Sequence, residues 1–188
     1  MANPIPDFDH NLVLPPHLGD PRDRKQLSPY PCTTVELCQR FGISLPRREI
    51  LLRFLDFREQ LRAAGMTDQA FQWLDGSFLE DIETRENRPP ADLDVVTVYW
   101  GYDDIRQQGV AMALPEFADP GLAKANYHLD HYPFDAGFDP RMTVDLSRYW
   151  ILLFSHNRLG IWKGMLQVNL NTPAEDSLAR QILLAAAP

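Results

Sequence analysis

The sequence predicts an α+β fold in which helices flank a small twisted mixed sheet. Apolar residues recur with the helical period between residues 33 and 65. After residue 65, short strand-like runs alternate with further helical stretches. A length of 188 residues with 45% hydrophobic residues is enough for one substantial core. We therefore expect a single domain over residues 1–188.

Residues 1–32 are predicted to form an extended arm rather than a helix. Many of the chain's 16 prolines fall there, and proline lacks the N–H that a helix interior needs. Within the arm, Phe8, Leu12, Val13 and Leu14 are apolar enough to pack on the rest of the protein. We therefore expect an ordered N-terminal strap.

Two helices are predicted to follow the arm. Thr33 or Thr34 can cap a first helix, which Gly42 then interrupts. Pro46 suits the first turn of a second helix, and Gly65 supplies its left-handed stop. The apolar positions of the second helix recur at helical spacing, and they are Ile50, Phe54, Phe57 and Leu61.

The rest of the chain is predicted to alternate between strands and helices. Strands are expected over residues 71–75, 92–100, 127–134 and 164–170. Helices are expected over residues 104–114, 144–155 and 174–187. The helix over 144–155 is apolar almost all round, which predicts that it is buried or forms an interface.

The composition excludes several classes of protein. A formal charge of -8 argues against a protein that coats nucleic acid, because that role needs clustered cations. No apolar run is long enough for a membrane span, and residues 1–10 lack a signal-peptide pattern, so we expect a cytoplasmic protein. Cys32 and Cys38 fit neither a disulfide framework nor a Cys-x-x-Cys site and are predicted to be buried or half-buried thiols.

The chemistry of the chain is concentrated between residues 73 and 98. A predicted strand runs into Gly76 and Ser77, and a polar loop then leads to a strand that opens with Asp92 and Asp94. Side chains alternate along a strand, so the two aspartates point to the same side. Such a pair is a site for Mg²⁺ or Mn²⁺, which prefer oxygen ligands. The alternative is a solvated acidic face behind an ordinary turn.

The glycine–serine pair complements the acids. Gly76 lets a ligand's phosphates approach the backbone, and Ser77 offers a hydroxyl and an N–H. Phosphoryl or nucleotidyl transfer needs a group that binds phosphates and a group that binds metal. The turn would supply the first and the aspartates the second.

The pattern Gly76-Ser77, fourteen residues and then Asp92-Leu93-Asp94 resembles the DNA polymerase beta-like nucleotidyltransferase superfamily. The whole chain is also similar to small bacterial nucleotidyltransferase-like proteins. The resemblance implies a nucleotidyltransferase-type sheet, triphosphate binding by the glycine and serine, and two magnesium ions on the paired acids. It also implies a third acid from a later strand.

Three aspartates compete for the role of third acid. Asp130 is our choice, because it lies within a predicted strand with apolar neighbours. Asp145 is the rival, but an acid in the first turn of a helix also favours the helix dipole. Asp135 is more typical of a turn. A zinc site built from His128, Asp130 and His131 is the remaining alternative, although residues 128 and 130 share a strand face that 131 opposes.

Basic and aromatic residues near the C-terminus are further candidates. Arg158 and Lys163 lie on a loop before the last strand, where either can meet a phosphate or an acidic partner, or simply keep the loop solvated. Trp162 is either a core or rim aromatic or a platform for a nucleobase.

We therefore predict a metal-dependent nucleotidyltransferase. Asp92, Asp94 and Asp130 would hold Mg²⁺ or Mn²⁺, and Gly76 and Ser77, with Arg158 and Lys163, would bind a nucleoside triphosphate such as ATP. The acceptor is unidentified, and a protein is one candidate.

Two other functions stay open. One is a non-catalytic binding protein of the same fold, such as an antitoxin or regulatory partner that binds a basic protein through its acidic surface. The weaker one is transfer to an RNA end, which the net charge disfavours.

Overall fold

The computed structural model describes residues 5–185, and across this range a five-stranded sheet is flanked by seven α-helices. The strands are β1 (Tyr30–Pro31), β2 (Ala70–Asp75), β3 (Leu93–Tyr99), β4 (Leu129–Asp135) and β5 (Leu166–Asn169). The helices are α1 (Thr34–Phe41), α2 (Leu45–Ala63), α3 (Ile82–Glu86), α4 (Asp104–Ala113), α5 (Pro120–Tyr127), α6 (Pro140–Phe154) and α7 (Pro173–Ala185). Short 3-10 turns span Arg24–Gln26, Ser77–Leu79 and Pro115–Phe117. The predicted α+β class and mixed sheet are confirmed.

The sheet has the strand order β1-β5-β2-β3-β4. Its central pairs, β5 with β2 and β2 with β3, are antiparallel, whereas the outer pairs, β1 with β5 and β3 with β4, are parallel. The parallel β3–β4 pair needs a long crossover, which α4 and α5 provide. The antiparallel centre places the end of β2 beside the beginning of β3, where the aspartates lie.

The two faces of the sheet are covered differently. On one face, Leu74, Val95 and Leu129 belong to the main core, which includes residues of α1, α2 and α7. On the other face, Trp150 and Phe154 of α6 pack on a smaller cluster formed by Trp73, Val96, Val98, Phe134 and Met165. The smaller cluster leaves one end of this face uncovered, and the candidate site lies there.

The predicted signals at the ends of the first two helices are present in the structure. Thr33 caps α1 in a capping box with Glu36, each side chain bonding the other residue's backbone N–H. Gly65 follows α2 with φ at 108°, a left-handed conformation that favours glycine. Both thiols are free; Cys38 is buried and Cys32 is half-buried, and desolvation raises the pKa of each, which makes them poor nucleophiles.

Several element predictions were wrong. The third predicted strand starts at Leu129 rather than Tyr127, because a proline-initiated helix, α5, occupies the preceding residues and ends at the left-handed His128. The helix predicted from residue 144 starts at Pro140, with Asp139 as its cap. The sequence prediction also missed β1 and α3. Residues 186 and 187 of the last predicted helix lie outside the described part of the chain.

The arm is an ordered strap over its described residues. Val13 and Leu14 are fully buried, and the backbone of Val13 forms an isolated antiparallel β-bridge with that of Glu80. The backbone N–H of Gly164 donates to the carbonyl of Leu14 at 2.7 Å. The strap therefore packs against the segments that carry the candidate site.

Both edges of the sheet are short or interrupted. β1 has two residues, and β4 carries an exposed proline, Pro133, near its middle. Proline has no N–H to offer to another strand, so it is confined to edge strands.

Helix α6 is less buried than its sequence predicts. Trp150 and Phe154 face the sheet, but several of its apolar side chains are exposed, including Val144, Tyr149, Leu152 and Leu153. None of the helices between residues 5 and 185 has the length and apolar character needed to cross a membrane.

Candidate functional site

Three aspartates form a row across neighbouring strands. Asp94 of β3 is the register partner of Asp75 in β2 and of Asp130 in β4. Residues directly opposite one another in a sheet share a face, so the three side chains lie on the same side. Asp92 precedes β3 by one residue and lines the same cleft. The strand register thus joins carboxylates that are far apart in the sequence.

The row lies in a cleft of about 870 Å³ on the α6 side of the sheet. All seven predicted site residues line this cleft: Gly76, Ser77, Asp92, Asp94, Asp130, Arg158 and Lys163. Tyr132, Tyr149, Trp150 and Leu153 form an apolar part of its wall. One cleft therefore offers carboxylates, a glycine–serine turn, cations and aromatic rings.

The Gly76-Ser77 turn has a geometry that requires glycine. Gly76 has φ 86° and ψ -174°, a combination open essentially to glycine alone. A Cβ at this position would overlap the carboxylate of Asp94, with the Asp94 Cγ only 2.9 Å away. Ser77 then begins the 3-10 turn Ser77–Leu79. The backbone of the turn is thereby packed directly against the central aspartate.

The buried side chain of Lys163 supports the Gly76-Ser77 turn. Its buried Nζ lies 3.0 Å from Asp75 Oδ1 and 3.0 Å from Glu80 Oε1, and it donates to the carbonyl of Gly76 at 3.0 Å. Burial disfavours the charged ammonium of Lys163, but the negative charges of Asp75 and Glu80 outweigh this effect and raise the pKa of Lys163. With three acceptors in place, this ammonium positions the turn, and Asp75 and Glu80 are acidic partners of the kind that the sequence predicted as an alternative to a phosphate.

A buried arginine holds the segment that follows the turn. Arg47 of α2 donates to the carbonyls of Phe78 and Glu80 at 2.6 and 2.7 Å, and it pairs with Glu83 at 2.6 Å. These bonds satisfy carbonyls of a short irregular segment that has few partners of its own. The backbone between the glycine–serine turn and α3 is therefore fixed from both sides.

The carboxylates of the row have altered acidity. Burial raises the pKa of Asp94 to about 6, and the charges of Asp92 and Asp130 add to the effect. Burial also raises the pKa of Asp75 to about 7, although Lys163 acts in the opposite direction. Charges that repel one another in a partly buried cleft favour a bound cation.

The donor set of the cleft suits a hard divalent cation, because it consists of carboxylate oxygens. Among residues 5–185, however, no three His, Cys, Asp or Glu side chains are gathered where they could hold a metal ion together. The carboxylate of Asp92 instead pairs with the ammonium of Lys124 of α5 at 2.7 Å. Asp92, Asp94 and Asp130 would hold Mg²⁺ or Mn²⁺ only after this ion pair opens.

The structure separates the rival third acids. Asp130 lines the cleft beside Asp94. Asp145 is exposed on α6, where it lies 3.9 Å from Arg148. Asp135 ends β4 and accepts a hydrogen bond from Gln107 at 2.7 Å, away from the cleft. Of the three, only Asp130 lines the cleft with Asp92 and Asp94.

The two histidines near Asp130 do not converge with it. His131 lies on the opposite face of β4, fully buried, with its Nε2 2.8 Å from Thr97 Oγ1 and its ring against Phe57. His128 is the left-handed cap of α5. The zinc alternative therefore has no geometric support in the described residues.

The burial of His131 predicts acid sensitivity. Burial lowers the pKa of His131 to about 3, so the unfolded chain binds a proton below pH 6.5 that the folded chain excludes. Stability is thus lost as the pH falls from 6.5 towards 3. Between pH 7 and pH 5, urea titrations should show wild type losing about 2 kcal/mol more than His131→Leu. Replacement of the exposed His10 should leave the wild-type pH dependence intact, and equal slopes in all three proteins would contradict this account.

Cations at the cleft form a second group. Arg85 pairs with Glu80 and Glu86, and Arg88 pairs with Glu86 at 2.8 Å. The exposed Arg158 lies on the other rim. Trp162 is exposed, packs edge-on against His156 and is outside the cleft lining, so it is a rim aromatic here.

Sequence reasoning missed four participants in this cleft. Asp75 and Glu80 flank the glycine–serine turn, and an acid at the end of an apolar strand was a usable signal for Asp75. The sequence pattern did not indicate Lys124 as a site residue, because Lys124 lies in α5, a helix that was not predicted. Arg85 belongs to α3, which was missed as well.

A family model described as "Family of unknown function (DUF6932)" matches residues 6–169 of the chain. No curated protein and no solved structure matches the chain.

Proposed function

The chain belongs to this family of unknown function, and we propose that it is a metal-dependent nucleotidyltransferase. It would transfer a nucleoside monophosphate from a nucleoside triphosphate such as ATP to an acceptor. The observation that carries the proposal is the strand register, which brings Asp94 and Asp130 together in the cleft that contains the Gly76-Ser77 turn.

Each part of the cleft has a role in this reaction. Asp92, Asp94 and Asp130 would hold Mg²⁺ or Mn²⁺, which when bound neutralises phosphate charge and stabilises the leaving group. Gly76 and Ser77 would contact the triphosphate, with the exposed Arg158 adding positive charge from the rim. The acceptor oxygen attacks the α-phosphorus, the bond to the β-phosphate breaks, and pyrophosphate leaves. Asp130 would orient the acceptor.

The apolar wall suits the nucleobase end of the ligand. Tyr149 and Trp150 line the same cleft as the acids, with their ring centroids 4.9 Å apart. Aromatic faces provide stacking surfaces for a base. The lining of the cleft thus includes polar groups that can meet phosphates and aromatic rings that can meet a base.

The first test is thermal unfolding with Mg²⁺ and each nucleoside triphosphate in turn. A ligand present at about 100 times its dissociation constant adds about 2.7 kcal/mol of stability, which is roughly 5–10 °C in a chain of this size. We expect this shift in wild type and its loss in Asp94→Asn. Because burial and like charges raise the pKa of Asp94, the neutral amide should leave the unliganded protein at least as stable as wild type above pH 7.

Asp145→Asn is the matched control, since it removes an exposed aspartate outside the cleft. It should keep the full shift, whereas Asp130→Asn should lose it. Equal shifts in wild type and Asp94→Asn, or no shift in wild type with any nucleoside triphosphate, would count against the proposal.

A second candidate function is protein binding without catalysis. Leu153 and Leu159 are exposed at the cleft, and Leu152, next to Leu153 on α6, is exposed as well. Exposed apolar side chains that lie together mark protein interaction sites. In an antitoxin-like or regulatory role, the chain would bind a basic protein through its acidic surface, and these leucines would add an apolar contact. Copurification of such a protein that survives Asp92→Asn with Asp94→Asn, but is lost in Leu152→Asp, would favour this function.

A further inference from the structure

Lys124 is positioned as a cation among the acids of the cleft. It lies in the last turn of α5, the helix that leads directly into β4 and Asp130. Its Nζ is 2.7 Å from Asp92 Oδ2, and its side chain lines the cleft. The hydrogen bond with Asp92, and the charges of Asp92, Asp130 and Asp94, raise its pKa. The ammonium thus pairs with Asp92 and lies in the electric field of the other two carboxylates.

This ion pair is strong enough to form yet weak enough to be replaced. The side chain of Lys124 is 56% exposed and that of Asp92 is 21% exposed, so water screens the pair. The lysine stem is long and flexible, and its charge is a single hydrated point. Lys163, by contrast, is buried, and its contacts with three acceptors hold the side chain in place.

We propose that Lys124 is an internal counter-ion that occupies the cation position of the acidic cluster until a divalent metal ion displaces it. Lys124 therefore sets the metal concentration at which the cleft becomes competent. The inference rests on the proposed metal-dependent function, since it needs Asp92, Asp94 and Asp130 to accept a divalent ion.

Metal binding without nucleotide tests the competition directly. We would titrate wild type, Lys124→Gln and the control Lys25→Gln with Mn²⁺, following free Mn²⁺ by electron paramagnetic resonance. Removing an exposed ion-pair partner should tighten Mn²⁺ binding roughly three- to tenfold in Lys124→Gln. Lys25 is exposed in the arm, so its replacement should change nothing.

Lysine acylation gives an independent readout of the same event. The sequence has three lysines, so mass spectrometry can follow each one after brief treatment with an acetylating reagent. Mg²⁺ should speed acetylation of Lys124 several-fold in wild type while Lys25 stays unchanged and the buried Lys163 stays protected. In Asp92→Asn, Lys124 should react quickly with or without Mg²⁺.

The outcomes separate this inference from the proposed function. Equal Mn²⁺ affinities in wild type and Lys124→Gln would overturn the counter-ion role while leaving the metal site in place. No Mn²⁺ binding by either protein would overturn both. Binding by Lys124→Gln alone would support the competition in its strongest form.

Discussion

Replacing Lys163 with methionine is expected to lower the free energy of unfolding by about 3–5 kcal/mol. Methionine keeps much of the apolar stem, but Asp75 and Glu80 then remain buried without the ammonium that lies 3.0 Å from each. The carbonyl of Gly76 loses its donor too. Urea denaturation of the two proteins at pH 7 measures the difference.

The dependence on pH identifies the cause of this loss. Without the ammonium, the pKa of the buried Asp75 carboxyl should rise further, because Lys163 is the charge that lowers it, whereas Glu80 keeps its pair with Arg85. A raised carboxyl pKa lowers stability as the pH rises towards it, so the loss should be larger at pH 8 than at pH 6. Adding Asp75→Asn and Glu80→Gln should recover part of the stability. A loss below about 1 kcal/mol, or one independent of pH, would contradict the proposed pairing.

Replacing Gly76 with alanine should have the second large effect. The backbone at φ 86° and ψ -174° costs a non-glycine residue about 1–3 kcal/mol. The new methyl group also overlaps the Asp94 carboxylate, which adds a similar cost for overpacking. Relief of this overlap must move either the turn or Asp94. We therefore expect the nucleotide-dependent thermal shift to disappear along with part of the stability.

Gly65→Ala provides the matched control. Gly65 also has a positive φ, at 108°, but a methyl group added there would meet no atom of the described residues within 4 Å. It should show the backbone cost alone and retain the nucleotide-dependent shift. If Gly65→Ala and Gly76→Ala lose equal stability, the contact with Asp94 has no energetic weight.

The parts of the fold with strong local signals were predictable. The capping box at Thr33, the glycine stop at Gly65 and the apolar strand β3 each depend on nearby residues, and the structure has all of them. β1 was not predictable, because two residues carry no periodicity and their pairing depends on β5. α3 and α5 are short helices whose residues show little amphipathic pattern.

The part of the candidate site that lies within one stretch of the sequence was predictable. Gly76, Ser77, Asp92 and Asp94 form a pattern within one stretch of sequence. Asp75 and Lys163 are joined only by tertiary packing, since they lie on elements distant in the chain. Local patterns therefore indicate the candidate site residues, whereas the residues that position them depend on the register of the sheet.

The arrangement of the sheet edges has a consequence for self-association. A long, regular edge strand is a template on which another chain can add a strand and begin an aggregate. Here one outer strand has two residues and the other is interrupted by Pro133, so neither edge of the described sheet offers a continuous ladder. Copies of this protein should therefore resist growth by strand addition even at high concentration.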